Sequence, residues 1–290
     1  MKLNRSVTVL GGDTRQIYAA ERLYELGYSV CVYGFDDTSR PIRLPKAENL
    51  EKALQSDIIV LPLPVTKNNK TLNASFAKHE ILLRDILELI PDEKLVLLGM
   101  GNDIFTRELL GTGAEYHDYY KREELTVKNA LLTAEGVLGI ILDRLPVTVY
   151  GLSTVITGYG RVGYFTAKLL HALGADVTVC ARDPVQRAKA ETAGMKAKRL
   201  PALTEEIKAA DCVINTVPSK LITADIIASS KKECLFIEAA SAPYGIDFDA
   251  CAQYGRTLVK AFSLPGKTSP KTAGIIIADT VNDIIKEVSE

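Results

Sequence analysis

From Ser6 to its last residues the chain alternates strand-like apolar runs with helix-like stretches, and the series runs twice. The first pass reads as strand 6–12 (SVTVLGG), helix 13–27, strand 29–35, helix 50–57, strand 57–65, helix 78–90, strand 94–101, helix 103–110 and a short strand 114–117. A longer helix over 123–145 is halted by Pro146, and a strand-like VTVYG follows. The alternation then restarts with strand 153–157, helix 161–173, strand 176–181 and helices 184–194 and 203–210. Strands 211–217 and 233–240, helix 247–254, strand 256–262 and an amphipathic helix over 272–290 complete it. Strands separated by helices build parallel sheets, and runs as uniformly apolar as DIIVLPLPV or DCVINTV suit a sheet covered on both faces. The expected fold is α/β, with two doubly wound parallel-sheet domains joined by the long helix. Their expected extents are 1–130 with 272–290 returning to it, and 131–271.

Composition narrows what such a chain does. Two hundred and ninety residues exceed one small core. The 35 basic residues nearly balance 36 acidic ones, for a net charge of −1, and the charges are interspersed, which argues against nucleic-acid binding. The longest uncharged run, Leu145 to Gly160, is interrupted by Pro146, Gly151 and Gly158 and is too short to span a bilayer. The opening MKLNRSVTVLGG lacks the pattern of a signal peptide, so a soluble, cytoplasmic protein without membrane contact is expected. Five cysteines, an odd number with no CxxC spacing, lie mostly in or beside apolar strands and read as small buried hydrophobes. The three histidines are scattered, so no metal site is expected.

The strongest local signal is Gly158-Tyr159-Gly160-Arg161-Val162-Gly163, because it follows an apolar strand and opens a helix. In that context Gly158 permits a tight turn, Gly160 lets backbone approach a pyrophosphate, and Gly163 lets helix and strand pack closely. The second expected domain is therefore Rossmann-like and binds a dinucleotide. Ala181-Arg182-Asp183 ends the next strand. An acid there usually bonds a ribose 2′-OH, whereas Arg182 would attract a 2′-phosphate. Asp183-Pro184 also reads as a helix N-cap with proline at the first helical position, so NADP is the preferred cofactor. Arg187 either assists or is surface. The later strand ends, Asn215-Thr216-Val217-Pro218-Ser219 and Glu238-Ala239-Ala240-Ser241, should border the nicotinamide.

Candidate substrate residues are more dispersed. Gly12, Asp13, Arg15 and Gln16 form a glycine turn in the first half that lacks GxGxxG and suits a substrate wall better than a second cofactor. Thr66 and Asn102 sit at neighbouring strand ends. Glu135, in TAEG on the long helix, is either a surface acid or a carboxylate lining a cleft between the halves. Lys267, Lys271 and Thr272 belong to a proline- and glycine-shaped loop, 264–274, where the lysines either hold carboxylates or are solvated.

Taken together, GGDTRQ, LPLPVT, TAEG, GYGRVG, CARD, NTVP and LPGKTSPKTAG resemble the A subunits of dipicolinate synthases, in order and spacing over essentially the whole chain. The resemblance implies an NADP-linked oxidoreductase of spore-forming bacteria. It would form dipicolinate (pyridine-2,6-dicarboxylate) from a dihydro- or hydroxytetrahydrodipicolinate, a branch of the lysine pathway used in sporulation. It also implies a heteromeric complex with a flavoprotein-like B subunit, and it leaves a homo-oligomer open. Asp183 departs from the small polar residue of the family pattern, which keeps the cofactor choice open. Under this reading Arg15, Lys267 and Lys271 meet the ring carboxylates, and Lys267, Ser241 or an ordered water takes the proton. Two other readings stand beside it. One is a D-2-hydroxyacid or alanine dehydrogenase-like enzyme, disfavoured because no histidine follows His171; the other is an NADP-sensing regulatory protein without turnover.

Overall fold

The computed structural model describes residues 5–289; residues 1–4 and 290, which begin the first expected domain and end the last expected helix, lie outside it. The chain divides into two compact units, Met1–Asn129 with Ser269–Glu290, and Ala130–Thr268. In chain order the first contains β1 (Ser6–Leu10), α1 (Thr14–Glu25), β2 (Ser29–Tyr33), α2 (Leu50–Ala53), β3 (Ile58–Val60), α3 (Leu83–Leu89), β4 (Leu95–Leu98), α4 (Asp103–Gly111) and β5 (Glu115–Asp118). Helix α5 (Glu123–Arg144) leads into the second. There follow β6 (Ser153–Thr157), α6 (Arg161–Ala172), β7 (Asp176–Cys180), α7 (Pro184–Thr192), β8 (Lys196–Lys198), α8 (Leu203–Ala209) and β9 (Cys212–Asn215). Next come α9 (Ala224–Ser229), β10 (Leu235–Glu238), α10 (Phe248–Gln253), β11 (Thr257–Lys260) and α11 (Leu264–Thr268), and α12 (Pro270–Ser289) belongs again to the first unit.

Both sheets are wholly parallel. The first runs β2-β1-β3-β4-β5 and the second β11-β10-β9-β6-β7-β8, the two common doubly wound orders. Side-chain alternation along each strand feeds two cores per unit. In unit 1, Val7, Val9, Ile58 and Val60 face Ile17 and Leu23 of α1 and Ile277 and Val281 of α12. Leu10, Ile59, Val96 and Leu98 face Ile86 and Phe105 on the other side. In unit 2, Ile156, Val179 and Ile214 pack with Val137, Ile141 and Leu170, while Val155, Val213 and Phe236 pack with Leu203, Ile207 and Ile227.

Helices α1 and α12 run side by side. Gly274 has no room for a Cβ, which would strike the Arg15 carbonyl, and Tyr28 donates to Asn282 at 3.1 Å. By length and composition α5 could cross a membrane, yet it behaves as a core helix, with Leu125 in one core of unit 1 and Val137 and Ile141 in one of unit 2.

The departures from expectation have local causes. Strand β3 ends at Val60 because Pro62 and Pro64 cannot donate to a ladder. Helix α3 starts at Leu83, since Leu82 pairs instead with Thr71 in an antiparallel bridge. VTVYG forms a turn, not a strand. The short polar β8 and the six-residue α9 carry too little apolar pattern to be read. The expected loop 264–274 is two helices, α11 and the start of α12, each with a proline in its first turn, where a missing N–H costs nothing. The chain therefore re-enters unit 1 at Ser269, which places Lys271 and Thr272 there.

Cys180, Cys212, Cys234 and Cys251 are buried, and burial pushes the Cys180 and Cys234 thiols up to about 12 and Cys251 to about 11. Thiolate, the reactive form, is then scarce at neutral pH. Native protein at pH 7.5 should react rapidly with an aromatic disulfide reagent at Cys31 at most, and at all five cysteines after denaturation. Fast reaction of two or more native thiols would contradict the packing described.

Candidate functional site

In unit 2 the ends of β6, β7, β9 and β10 open on one edge of the sheet, and β6 and β9 flank the point where the strand order reverses. Ligands of open parallel sheets bind at that point. Gly158-Tyr-Gly160-Arg-Val-Gly163 joins β6 to α6 there. Gly158 has φ +79°, and a Cβ on it would meet Val217 Cγ2 at 2.7 Å. A Cβ on Gly163 would fall on the Gly158 carbonyl. Gly160 is different, because a Cβ there would meet nothing within 4 Å. Two of the three glycines thus answer to packing inside the protein, and the third leaves open space. Helix α6 starts at that space with no side-chain cap on its N-cap Gly160. An uncapped helix start with backbone open to approach is suited to phosphate, through first-turn N–H groups and the helix dipole.

Two expected contacts change. The Tyr159 ring turns into the core, where burial pushes its phenol up and its hydroxyl has no hydrogen-bond partner among the described residues. Its N–H is taken by Gln186 Oε1 at 2.9 Å, so neither group is left for a cofactor. Asn215 is fully buried and its amide is spent internally. It accepts from Thr157 Oγ1 at 2.5 Å and the Val217 N–H at 3.3 Å, and donates to Val217 O at 3.0 Å and Glu238 Oε1 at 2.6 Å. Thr216 is tied to Thr157 by its hydroxyl and N–H, Val217 lies against Gly158, and Ala239 donates to Asn215 O. Arg161, Pro218 and Ser241 are exposed or partly so, and Val162 is half-buried.

At the end of β7, Ala181 is buried and Asp183 is the N-cap of α7, accepting from the Val185 N–H at 2.9 Å with Pro184 next. Arg187 is not free surface. Its Nη1 donates to Ala181 O at 2.8 Å and Arg182 O at 2.6 Å, clamping the turn. The Arg182 guanidinium is exposed and makes no hydrogen bond or ion pair among the described residues.

Unit 1 solves the same junction in the opposite way. Gly11 and Gly12 have φ +67° and +111°, and Cβ atoms there would meet Leu72 at 2.7 Å and Gln16 at 2.6 Å. Residues 71–77 run across these strand ends, with Ser75 donating to Gly12 O at 3.0 Å. Helix α1 carries a complete capping box from Asp13 and Gln16. Arg15 is buried and bound by Nε and Nη2 to Asp13 at 3.0 and 2.8 Å, with Nη2 also on Leu63 O at 2.6 Å. Its charge is therefore matched within the chain, and only Nη1 lacks a hydrogen bond among the described residues. Gln16 is wholly buried, and its Nε2 makes no hydrogen bond among the described residues.

The remaining expected residues serve mainly local roles or stand in solvent. Thr66 donates to Thr71 O at 2.6 Å inside its turn, and Asn102 caps α4 by accepting from Phe105 N–H at 2.8 Å. Lys271 and Thr272 lie in the first turn of α12, beside the start of α1. Glu135 and Lys267 are exposed on α5 and α11, helices that touch where Leu264 covers Gly136. Glu238, expected among the strand ends beside the nicotinamide, is instead bound inward at these junctions, and Gln186 on α7 is a junction residue that carries no motif to announce it.

Residues 6–120 match the family model for the N-terminal domain of the dipicolinate synthase A subunit, and residues 142–250 that of the D-isomer specific 2-hydroxyacid dehydrogenase, NAD binding domain. The dipicolinate synthase A subunit of Bacillus subtilis (strain 168) is 27% identical over 97% of this chain and 96% of its own. The chain is a relative of the dipicolinate synthase A subunits. The crystal structure of the Bacillus subtilis protein superposes with a TM-score of 0.88, covering 100% of this chain and 98% of its own. The corresponding structure from Bacillus halodurans gives 0.87 at 28% identity, with 98% of each chain covered. A transhydrogenase from Sinorhizobium meliloti, 14% identical with a TM-score of 0.72 over 97% of this chain and 94% of its own, shares the fold. Unit 2 is a Rossmann-like, dehydrogenase-type domain for a nicotinamide dinucleotide.

The glycine geometry gives a direct test. Gly160→Val should leave folding stability within about 1 kcal/mol of wild type, because open space receives the side chain, while abolishing dinucleotide binding. Gly163→Ala should instead cost ~1–3 kcal/mol by overpacking against Gly158. Denaturant melts and cofactor fluorescence titration measure the two effects separately.

Proposed function

We propose that this chain is an NADP-linked oxidoreductase that forms dipicolinate from dihydrodipicolinate, or from its hydroxytetrahydro precursor, together with a B subunit. The observation that carries the reading is the uncapped start of α6 at Gly160, in the same unit as an unpaired Arg182 at the end of β7. Arg182 offers a 2′-phosphate a guanidinium that makes no ion pair among the described residues. Asp183, the residue that would favour NAD, has its carboxylate engaged in capping α7. The first-turn N–H groups of α6 take the pyrophosphate, and Thr216, Val217 and Ala239 form a fixed backbone wall beside it.

When bound, the nicotinamide supplies a hydride acceptor. Conversion of the dihydro ring to the aromatic product releases one hydride and one proton, and the gain of aromaticity drives it. The chain's work is then to orient the ring and remove the proton. Arg15, through its remaining Nη1, Lys267 and Lys271 are the proposed partners of the two carboxylates, with Gly12, Asp13, Gln16, Thr66, Asn102, Glu135 and Thr272 as supporting residues. Lys267 and Ser241, both exposed and without a side-chain hydrogen bond among the described residues, are the proposed proton acceptors, alongside an ordered water. The absence of histidine after His171 weighs against a hydroxyacid-type mechanism based on a late histidine.

The test supplies dihydrodipicolinate made in situ, with NADP, in one mixture containing the B subunit and one lacking it. NADPH formation is expected, and its absence in both mixtures would overturn the reading, as would equal turnover of D-2-hydroxyacids. Arg182→Met should weaken NADPH binding about tenfold or more, by loss of one charge-assisted contact, and leave NADH binding unchanged. Equal losses for both cofactors would return the choice to NAD.

A further inference from the structure

Glu238 is the last residue of β10 and is completely buried, in register with Asn215 at the end of β9. Its oxygens receive four N–H donors. Oε1 accepts from Asn215 Nδ2 at 2.6 Å and from the Ala240 N–H at 3.0 Å. Oε2 accepts from the N–H groups of Gly245 at 2.8 Å and Ile246 at 2.9 Å. No ion pair reaches it among the described residues. Gly245 is held so close that a Cβ would strike the Asn215 amide.

A buried carboxylate without a cation is a costly way to end a strand, and an apolar residue would serve a sheet better. What the carboxylate achieves is connection. Through Asn215 it reaches Thr157 at the end of β6 and both backbone groups of Val217, whose side chain fills the space beside Gly158. Through Ala240, Gly245 and Ile246 it holds both limbs of the loop that carries Ser241. Three strand ends at the reversal of the sheet are thereby locked by one side chain.

We propose that Glu238 is a positioning residue for the nicotinamide end of the dinucleotide: its carboxylate fixes Asn215–Val217 and Ala239–Ser241 as a single wall. This rests on the reading that unit 2 holds a nicotinamide dinucleotide. The adenine end lies at β7 and the start of α7, which Arg187 and Asp183 organise independently of Glu238. The two ends of the ligand therefore report on different parts of the chain.

Glu238→Gln preserves shape but turns an NH₂ group toward N–H donors. If the new amide nitrogen replaces Oε1, it meets Asn215 Nδ2 and Ala240 N–H; if it replaces Oε2, it meets Gly245 and Ile246 N–H. Neither orientation satisfies the wall. The experiment compares affinities of wild type, Glu238→Gln and Thr157→Val for NADPH, NADH and the adenine-side fragments 2′,5′-ADP and 5′-ADP. With Glu238→Gln the preferred dinucleotide should bind about tenfold more weakly, and its fragment within about twofold of wild type. Thr157→Val, which releases the far end of the network, should show the same split to a smaller degree, and it decides the matter if the glutamine variant does not fold. Parallel losses for dinucleotide and fragment, or no loss for either, would overturn the proposal. Wild-type protein that binds neither dinucleotide would instead remove the reading of unit 2, and this inference with it.

Discussion

What unit 2 offers a ligand depends on how closely the start of α6 approaches the end of β6. The space that a side chain at position 163 would need is filled by the Gly158 carbonyl, and Gly158 itself is held by Val217. With those two contacts closed, the first turn of α6 is fixed beneath the sheet edge and the Gly160 backbone faces open space. A looser junction would let a side chain cap the helix and would remove the reason for anything anionic to sit there. The hydrogen-bonded strand ends around Asn215 and Glu238 hold the other side of the same opening.

Unit 1 shows that a glycine turn between a strand and a helix does not by itself make such an opening. Gly11 and Gly12 bend the chain in the same place, at the reversal of a parallel sheet, yet residues 71–77 cover the turn and Asp13 and Gln16 cap α1. The ion pair between buried Arg15 and half-buried Asp13 adds rigidity to the same turn. Two units of one architecture therefore treat the same junction differently, and the difference lies in caps and covering segments rather than in fold.

Features set by neighbours in sequence are legible in the sequence alone. The alternation of apolar strands and helices, the glycine spacing 158–163 and the Asp183-Pro184 cap each depend on a few consecutive residues, and all three appear in the structure. Features set by distant partners are not. Asn215 reads as a polar residue at a strand end, but Glu238, 23 positions away, turns its amide inward. Tyr159 reads as part of the motif, but the core takes its ring and Gln186 its N–H. Nothing in 71–77 has a period that would reveal it as the cover of Gly12. Lys271 falls in the other unit because Pro270 starts a helix where a loop is expected.

The dinucleotide is proposed to be received at the start of α6 and not at the start of α1. Hydrogen–deuterium exchange of the full chain, with and without saturating NADPH, reads both places in one measurement. Cofactor should slow exchange of amides within 158–164 and leave those within 11–16 unchanged. Protection at 11–16 with none at 158–164 would contradict it.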